Sequence, residues 1–399
     1  MNRNAAVAIT GIGCLSAAGM SLKENMDSLF AGRRHVASPK RFSSSHPAPY
    51  PVFEILEDLF PARKLKNEDI SRTCSLGLTA TIEALKDAGL EPEGMTGLKA
   101  GVCIGTTVGS TMNNEEFYRE YCNGMHPDMA IIERFINSNP ASVIAREFSL
   151  SGPCQTVVNA CSSGTDAIGI GASWIRSGIC DMVIAGGADE LCRVTYNGFI
   201  SLMISDDNPC RPFDRERKGL NLGEGAAVLI LESDNLILKR KKKARAFVLG
   251  YGSACDGYHL TAPRPDGRGL KNALSDALMD SGKTSGDIAF VNAHGTATRD
   301  NDRTEVRVLR EMLLDIPFLS TKGYTGHTLG AAGAIEAAFT VGCLESGMLP
   351  ANAGFTELDP ELGASPVTDV TGISQKIAIS DSLAFGGHNA ALVIGLERE

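Results

Sequence analysis

Ala6-Val7-Ala8-Ile9-Thr10-Gly11-Ile12-Gly13 lies near the start of the chain, and Ala246-Phe247-Val248-Leu249-Gly250-Tyr251-Gly252 repeats its pattern past the middle. Each reads as an apolar strand running into a Gly-x-Gly turn. Absence of polar alternation marks a strand buried on both faces. The echo points to an internal duplication, with the basic run Lys239-Arg240-Lys241-Lys242-Lys243-Ala244-Arg245 near the join. That run reads equally as the solvated end of a surface helix. The strand candidates are 5–10, 101–105, 182–185, 227–231, 246–250, 288–292, 376–380 and 391–396. Helical patterns at 71–89, 164–177, 268–281, 303–314 and 333–345 alternate with them, which predicts an α/β fold.

Composition narrows the function. The 399 residues include 43 glycines, above the usual ~7 %, without the three-residue period of collagen. With 43 % apolar residues the chain can bury a large core, so disorder is excluded. A net charge of −9 argues against nucleic acid as the main partner. Eleven cysteines with no Cys-x-x-Cys pair suggest neither a disulfide framework nor a zinc ribbon, and fit a reduced, cytoplasmic chain. Residues 5–20 superficially resemble a signal peptide, but Gly11, Gly13 and Ser16 break the stretch. No membrane span is expected, because the best apolar run, 329–344, is interrupted by Glu336.

Four segments carry chemistry. In Val157-Val158-Asn159-Ala160-Cys161-Ser162-Ser163-Gly164, a strand ends in a small-residue turn and a helix begins. Cys161 sits at the helix start, where free N–H groups favour a thiolate. The other ten cysteines read as small buried hydrophobes. In Asn292-Ala293-His294-Gly295-Thr296-Ala297-Thr298, a strand delivers a histidine to a turn. Lys322-Gly323-Tyr324-Thr325-Gly326-His327 precedes a glycine-rich helix. Ser382-Leu383-Ala384-Phe385-Gly386-Gly387-His388 is a glycine turn between strands. A Cys–His pair alone also suits a cysteine hydrolase. Two histidines with a lysine suit a reaction in which charge grows on a thioester oxygen, since neutral imidazole N–H groups stabilise an enolate. Gly11-Ile12-Gly13 is a poor dinucleotide fingerprint, with Ser16 at its last glycine position. Ser281-Gly282-Lys283-Thr284 lacks the leading glycine of a phosphate loop.

Together the four segments resemble the condensing enzymes of the thiolase superfamily, specifically the β-ketoacyl-acyl carrier protein synthase II type. Arg211-Pro212-Phe213-Asp214, Gly223-Glu224-Gly225-Ala226 and Gly186-Gly187-Ala188 match as well, and the resemblance spans essentially the whole chain. It implies a thiolase-like fold, two duplicated five-stranded mixed-sheet halves layered α-β-α-β-α, here divided as 1–245 and 246–399. It implies that Cys161 takes an acyl chain from acyl carrier protein. His294 and His327 then promote decarboxylation of the malonyl-carrier substrate and hold the enolate. Backbone N–H groups of Cys161 and Phe385 form the oxyanion hole, with Gly386 and Gly387 allowing the bend, and Phe385 is also the gate. Lys322 orders the site with Glu336 as its partner, and Glu305 is a second acid behind the cleft. Thr296 and Thr298 match the hydroxyls that hold the pantetheine arm. Val108 and Phe199 fall where the family shapes its acyl pocket.

The resemblance implies no metal and no cofactor beyond the carrier's phosphopantetheine. It implies a homodimer, or a heterodimer with a chain-length-factor-like subunit. That non-catalytic subunit is the alternative reading for this chain, although such subunits lack the nucleophile. Tyr324, His388 and Leu383 depart from the residues usual at their positions, and all three are expected around the site and its gate, which leaves substrate length and oxidation state open. An acidic carrier requires a local basic patch on an acidic chain. Its candidates are Arg63, Lys64, Lys66 and Arg72 on one side, and Arg211, Arg215, Arg217 and Lys218 on the other.

Overall fold

In the computed structural model, residues 6–44, 46–47, 49–60, 64–65, 69–95, 97–107 and 114–398 are described. The strands are β1 Val7–Ser16, β2 Ala100–Gly105, β3 Cys154–Val157, β4 Met182–Asp189, β5 Gly225–Glu232, β6 Ala246–Cys255, β7 Ile288–Asn292, β8 Phe318–Leu319, β9 Met348–Leu349, β10 Thr371–Gly372, β11 Ile377–Ala384 and β12 His388–Gly395. The helices are α1 Leu22–Phe30, α2 Arg72–Ala88, α3 Glu115–Cys122, α4 Ala130–Asn137, α5 Pro140–Glu147, α6 Ser163–Arg176, α7 Arg193–Ser201, α8 Asp234–Arg240, α9 Arg268–Ser281, α10 Arg299–Leu313, α11 Lys322–Thr325 and α12 Ala332–Ser346. All eight expected strands form, most of them longer than expected.

The strand order is β3-β2-β4-β5-β1-β6-β12-β11-β7-β8. Read outward from the centre, the two halves are the same: β1-β5-β4-β2-β3 and β6-β12-β11-β7-β8. In each half the outer strand pairs are parallel and the inner ones antiparallel. The halves join along a short antiparallel register, Val7–Val248 to Ile9–Ala246. Helix α2 covers one half from outside and α9 the other, while α6 and α12 pack against strands of both halves. The result is the five-layered α-β-α-β-α arrangement. Helix α12 is buried from Ala332 through Leu344 and apolar on every face apart from Glu336 and Thr340, as suits an inner-layer helix.

The paired glycines are not turns, which corrects the sequence reading. Strand β1 continues through Gly11 and Gly13 to Ser16, with a bulge in its pairing to β5 between Ile9 and Gly11. A Cβ at Gly11 would lie 2.2 Å from the Ala84 carbonyl oxygen, and one at Gly13 2.0 Å from that of Ala80, both on α2. Gly250 and Gly252 stand in the same relation to Ala277 and Ala273 of α9, at 2.1 Å each. The glycines let an outer helix lie directly on its strand. Cysteine burial also needs correction, since Cys122, Cys154 and Cys255 are exposed. Among the described residues, no helix is long and apolar enough to cross a membrane.

Candidate active site

Strand β3 leads into a single tight turn, Ala160–Ser162, and α6 follows at once. Ala160 has a φ of +49°, a conformation that costs a non-glycine residue energy and persists only when its surroundings hold it. A buried carboxylate does so here. Asp166, in the first turn of α6, accepts hydrogen bonds from the Asn159 amide (2.9 Å) and the Ser162 hydroxyl (2.9 Å). It also accepts one from the Tyr251 hydroxyl (2.7 Å), which reaches across from the other half. This network was missed in the sequence. Its signal is a helical aspartate seven residues after Asn159 and four after Ser162.

Cys161 is thereby presented at the start of α6, as expected, but not in the expected charge state. It is 4 % exposed, and burial pushes its thiol up to about 12 against the pull of Lys322 and the Phe385 N–H, so the resting group is a neutral thiol. The side chain in hydrogen-bond contact with the thiol is His327, whose Nε2 lies 3.0 Å from Sγ. The His294 ring stands edge-on to that of His327, with centroids 5.2 Å apart. One ligand atom from each of the three residues falls within 4.8 Å of the others. Both imidazoles are held well below the ordinary histidine range, first by burial and then by the Lys322 charge, and both are therefore neutral.

Lys322 opens α11 and is itself buried. Its Nζ donates to His294 Nδ1 (3.0 Å) and to the His294 carbonyl (2.6 Å), and it is ion-paired with Glu336 Oε1. A donor at Nδ1 leaves the His294 proton on Nε2. Burial raises Glu336 to about 7. Behind His294, Glu305 accepts the backbone N–H groups of His294 (2.6 Å) and Gly295 (2.8 Å). Asp381 accepts the same His294 N–H at 2.9 Å. Burial, with Asp381 alongside, raises Glu305 well above the usual carboxylate range.

A cavity of about 290 Å³ opens onto these groups. Its lining brings together Cys161, His294, His327, Thr296, Thr298, Phe199 and Phe385. The hydroxyls of Thr296 and Thr298 are 2.9 Å apart. Phe199 and Phe385 stack at 5.7 Å, almost parallel, across one side. The Phe385 N–H bonds the Cys161 sulfur, and Gly386 and Gly387, at φ +82° and +80°, provide the bend that aims it.

Other sequence expectations need correction. Of the three departures from the family pattern, only Leu383 lines the cavity. Tyr324 is buried, and its hydroxyl donates to the Ala351 carbonyl (2.7 Å). His388 packs over Gly386, close to Phe385 but outside the lining. The basic patch fares unevenly. Arg63, Lys66 and Val108 lie outside the described residues. Arg72 is turned inward, with bonds to Glu224 (2.7 and 2.9 Å) and the Ile55 carbonyl (2.9 Å), so it is no docking residue. Arg217 is buried against Asp359 and Asp302. Arg215 is exposed but paired with Glu357 at 2.5 Å, and Lys64 is exposed and bonded to Ser149. Arg211 is half-buried, and Lys218 is exposed and lines the cavity.

Residues 4–236 match the family description "Beta-ketoacyl synthase, N-terminal domain", and 245–356 match "Beta-ketoacyl synthase, C-terminal domain". The chain is 33 % identical to the tetracenomycin polyketide synthase ketoacyl synthase alpha subunit of Streptomyces glaucescens, covering 98 % of this chain and 97 % of that one. It is 32 % identical to 3-oxoacyl-(acyl-carrier-protein) synthase 2 of Synechocystis, covering 97 % of each. Among solved structures it is similar to the ishigamide ketosynthase/chain length factor, with a TM-score of 0.92 and 31 % identity over 98 % of this chain and 99 % of that one.

Proposed function

The chain belongs to the beta-ketoacyl synthase family, and from that membership we propose that it condenses an acyl group held on Cys161 with malonyl-acyl carrier protein, releasing carbon dioxide. The observation that carries this reading is the 3.0 Å contact between Cys161 Sγ and His327 Nε2, with a neutral His294 beside it.

In the first half-reaction His327 Nε2 takes the thiol proton as Sγ attacks the carbonyl of an acyl thioester. The carrier leaves as its thiol with that proton, and the acyl group stays on Cys161. The N–H groups of Phe385 and Cys161 receive the tetrahedral oxyanion. In the second, the malonyl thioester loses carbon dioxide, and the electron pair of the broken C–C bond becomes an enolate. The Nε2–H of His294, the tautomer that Lys322 enforces, stabilises its oxygen without being charged first, and His327 adds a second N–H once its own ring proton sits on Nε2 rather than Nδ1. The enolate carbon attacks the acyl–Cys161 carbonyl, the C–S bond breaks with its electron pair on sulfur, and a β-ketoacyl carrier is released while the Cys161 thiolate takes one proton from solvent. Lys322 and Glu336 hold His294 in the required tautomer, and Glu305 fixes the backbone that bears it. Thr296 and Thr298 bond the pantetheine amides, and Phe385 with Phe199 gates the second substrate. The chemistry as written draws on no metal and no cofactor of the enzyme.

This reading treats 1–245 and 246–399 as the two halves, supported by the repeated strand order. It assigns the chain to the cytoplasm, with acyl carrier protein as its partner and a second subunit, of its own kind or chain-length-factor-like, beside it. A role as the non-catalytic subunit itself leaves the Cys161–His327 pair without a purpose. The test is incubation with acyl- and malonyl-carrier protein, followed by assay of carbon dioxide and β-ketoacyl product. Product is expected, and absence of carbon dioxide release overturns the proposal.

A further inference from the structure

Accessibility rises steadily along the wall of the cavity that carries His294. His294 is 1 % exposed and Thr296 6 %, Thr298 is half-buried, and Arg299 is exposed, yet all four line the same space. Lys218, also exposed, lines it too. The floor is a thiol with two imidazoles, the middle is a pair of hydroxyls, and the mouth is a pair of cations.

Those cations stand apart from their neighbours. On the surrounding segments Arg215 is paired with Glu357, Arg217 with Asp359 and Asp302, Arg264 with Asp266, and Arg303 with Asp300. Among the described residues, neither Lys218 nor Arg299 has an ion-pair partner. Asp300 also lines the mouth, but it is engaged by Arg303 at 2.5 Å. Asp256 spends its carboxylate on the backbone of Arg264 and Gly269 and on the Asn389 amide. Asp359 is within electrostatic reach of Arg299 but bonds Arg217 at 2.6 Å. On a chain of net charge −9, two uncompensated cations at the rim of one cleft form a local anion site.

We propose that Lys218 and Arg299 bind the phosphodiester of the phosphopantetheine arm while its thioester reaches Cys161. The inference rests on the proposed carrier-linked substrate and deepens it. It assigns the anion to the arm rather than to an acidic surface of the carrier. Guanidinium and ammonium are the groups that recognise a phosphate oxygen by charge-assisted hydrogen bonds. An arm bound this way is gripped by charge at the mouth and by hydroxyls midway, and its thioester is left for the floor.

The test uses small thioesters without the protein carrier, malonyl-phosphopantetheine and malonyl-pantetheine, on the full chain and on Lys218→Gln, Arg299→Gln and the double variant. The measured quantity is the ratio of kcat/KM for the phosphorylated arm to that for the unphosphorylated one, read from carbon dioxide release. The wild type is expected to prefer the phosphorylated arm, and the double variant to lose about tenfold of that ratio. The wild-type preference should shrink as salt is raised. An unchanged ratio in the double variant overturns the proposal. So does a loss seen only with intact malonyl-carrier protein, which would make the two cations readers of the carrier's surface. Calorimetric binding of phosphopantetheine and of pantetheine repeats the comparison without turnover. If no carbon dioxide is released from either thioester, the functional reading fails, while equal binding of the two arms overturns the phosphate site whatever the activity.

Discussion

The two halves share a skeleton and divide the chemistry. Each has a strand with two glycines under an outer helix, Gly11 and Gly13 under α2, and Gly250 and Gly252 under α9. Each has a tight turn entered at positive φ, Ala160 at +49° and Leu329 at +53°, followed directly by an inner helix. The second turn residue is Cys161 in one half and Gly330 in the other. A Cβ on Gly330 would lie 2.5 Å from the backbone of Thr106 and Thr107, so no side chain fits there. The first half therefore supplies Cys161, the proposed nucleophile, and the second supplies Lys322, His294 and His327. Repetition preserved what packing requires, and reactive groups were placed where the repeat could spare the space.

The largest effect expected from this division is on Cys161. Cys161→Ala should lower condensation by at least about 10⁴-fold and leave carbon dioxide release from malonyl-carrier protein to the histidines of the other half. Loss of both activities would break the division of labour. The matched change Gly330→Ala acts on stability instead. It should cost about 2 kcal/mol or more by forcing a methyl into backbone, measured by denaturant unfolding, whereas Cys161→Ala should be close to neutral. Gly13→Ala and Gly252→Ala should each destabilise to a similar degree, about 3 kcal/mol or more. A wide disparity would show that the two outer helices are not equivalent.

The pH dependence sharpens the comparison further. Both histidines are held neutral, with their ionisation below the usual 6.5. Acyl transfer to Cys161 should thus stay flat down through pH 6.5 and fall only at lower pH, as the imidazoles gain protons. A fall centred at 6.5 or above would contradict the buried geometry. The smallest effect concerns Glu305. Its folded value lies above its reference of 4.5, so the native state binds more protons than the unfolded one and stability declines as pH rises from 4.5. Glu305→Gln should flatten that decline in Tm between pH 4.5 and 7.5.

Much of this was legible in the sequence because buried parallel strands are written without polar alternation, and the strands at 101–105 and 288–292 were plain for that reason. The Gly-x-Gly pairs misled because a turn and a close helix contact demand the same absent side chain, and only the position of α2 or α9 separates them. The meeting of Cys161, His294, His327 and Phe385 in one cavity was legible because each sits in a short, unusual turn. The anchor Asp166–Tyr251 was not, since its members come from different halves. Nor was the fate of Arg72, whose pairing with Glu224 depends on folding of residues far apart in the chain. The charge state of Cys161 needed its burial, which no local motif encodes.

An ammonium group has three hydrogens, and those of Lys322 are all committed, to His294 Nδ1, to the His294 carbonyl and to Glu336. None is left over for a substrate oxygen. Lys322 thus carries a full positive charge at the heart of the site yet has a closed valence toward anything that enters. Its influence on the incoming carboxylate is exerted at a distance, through its field and through the tautomer it enforces on a neighbour.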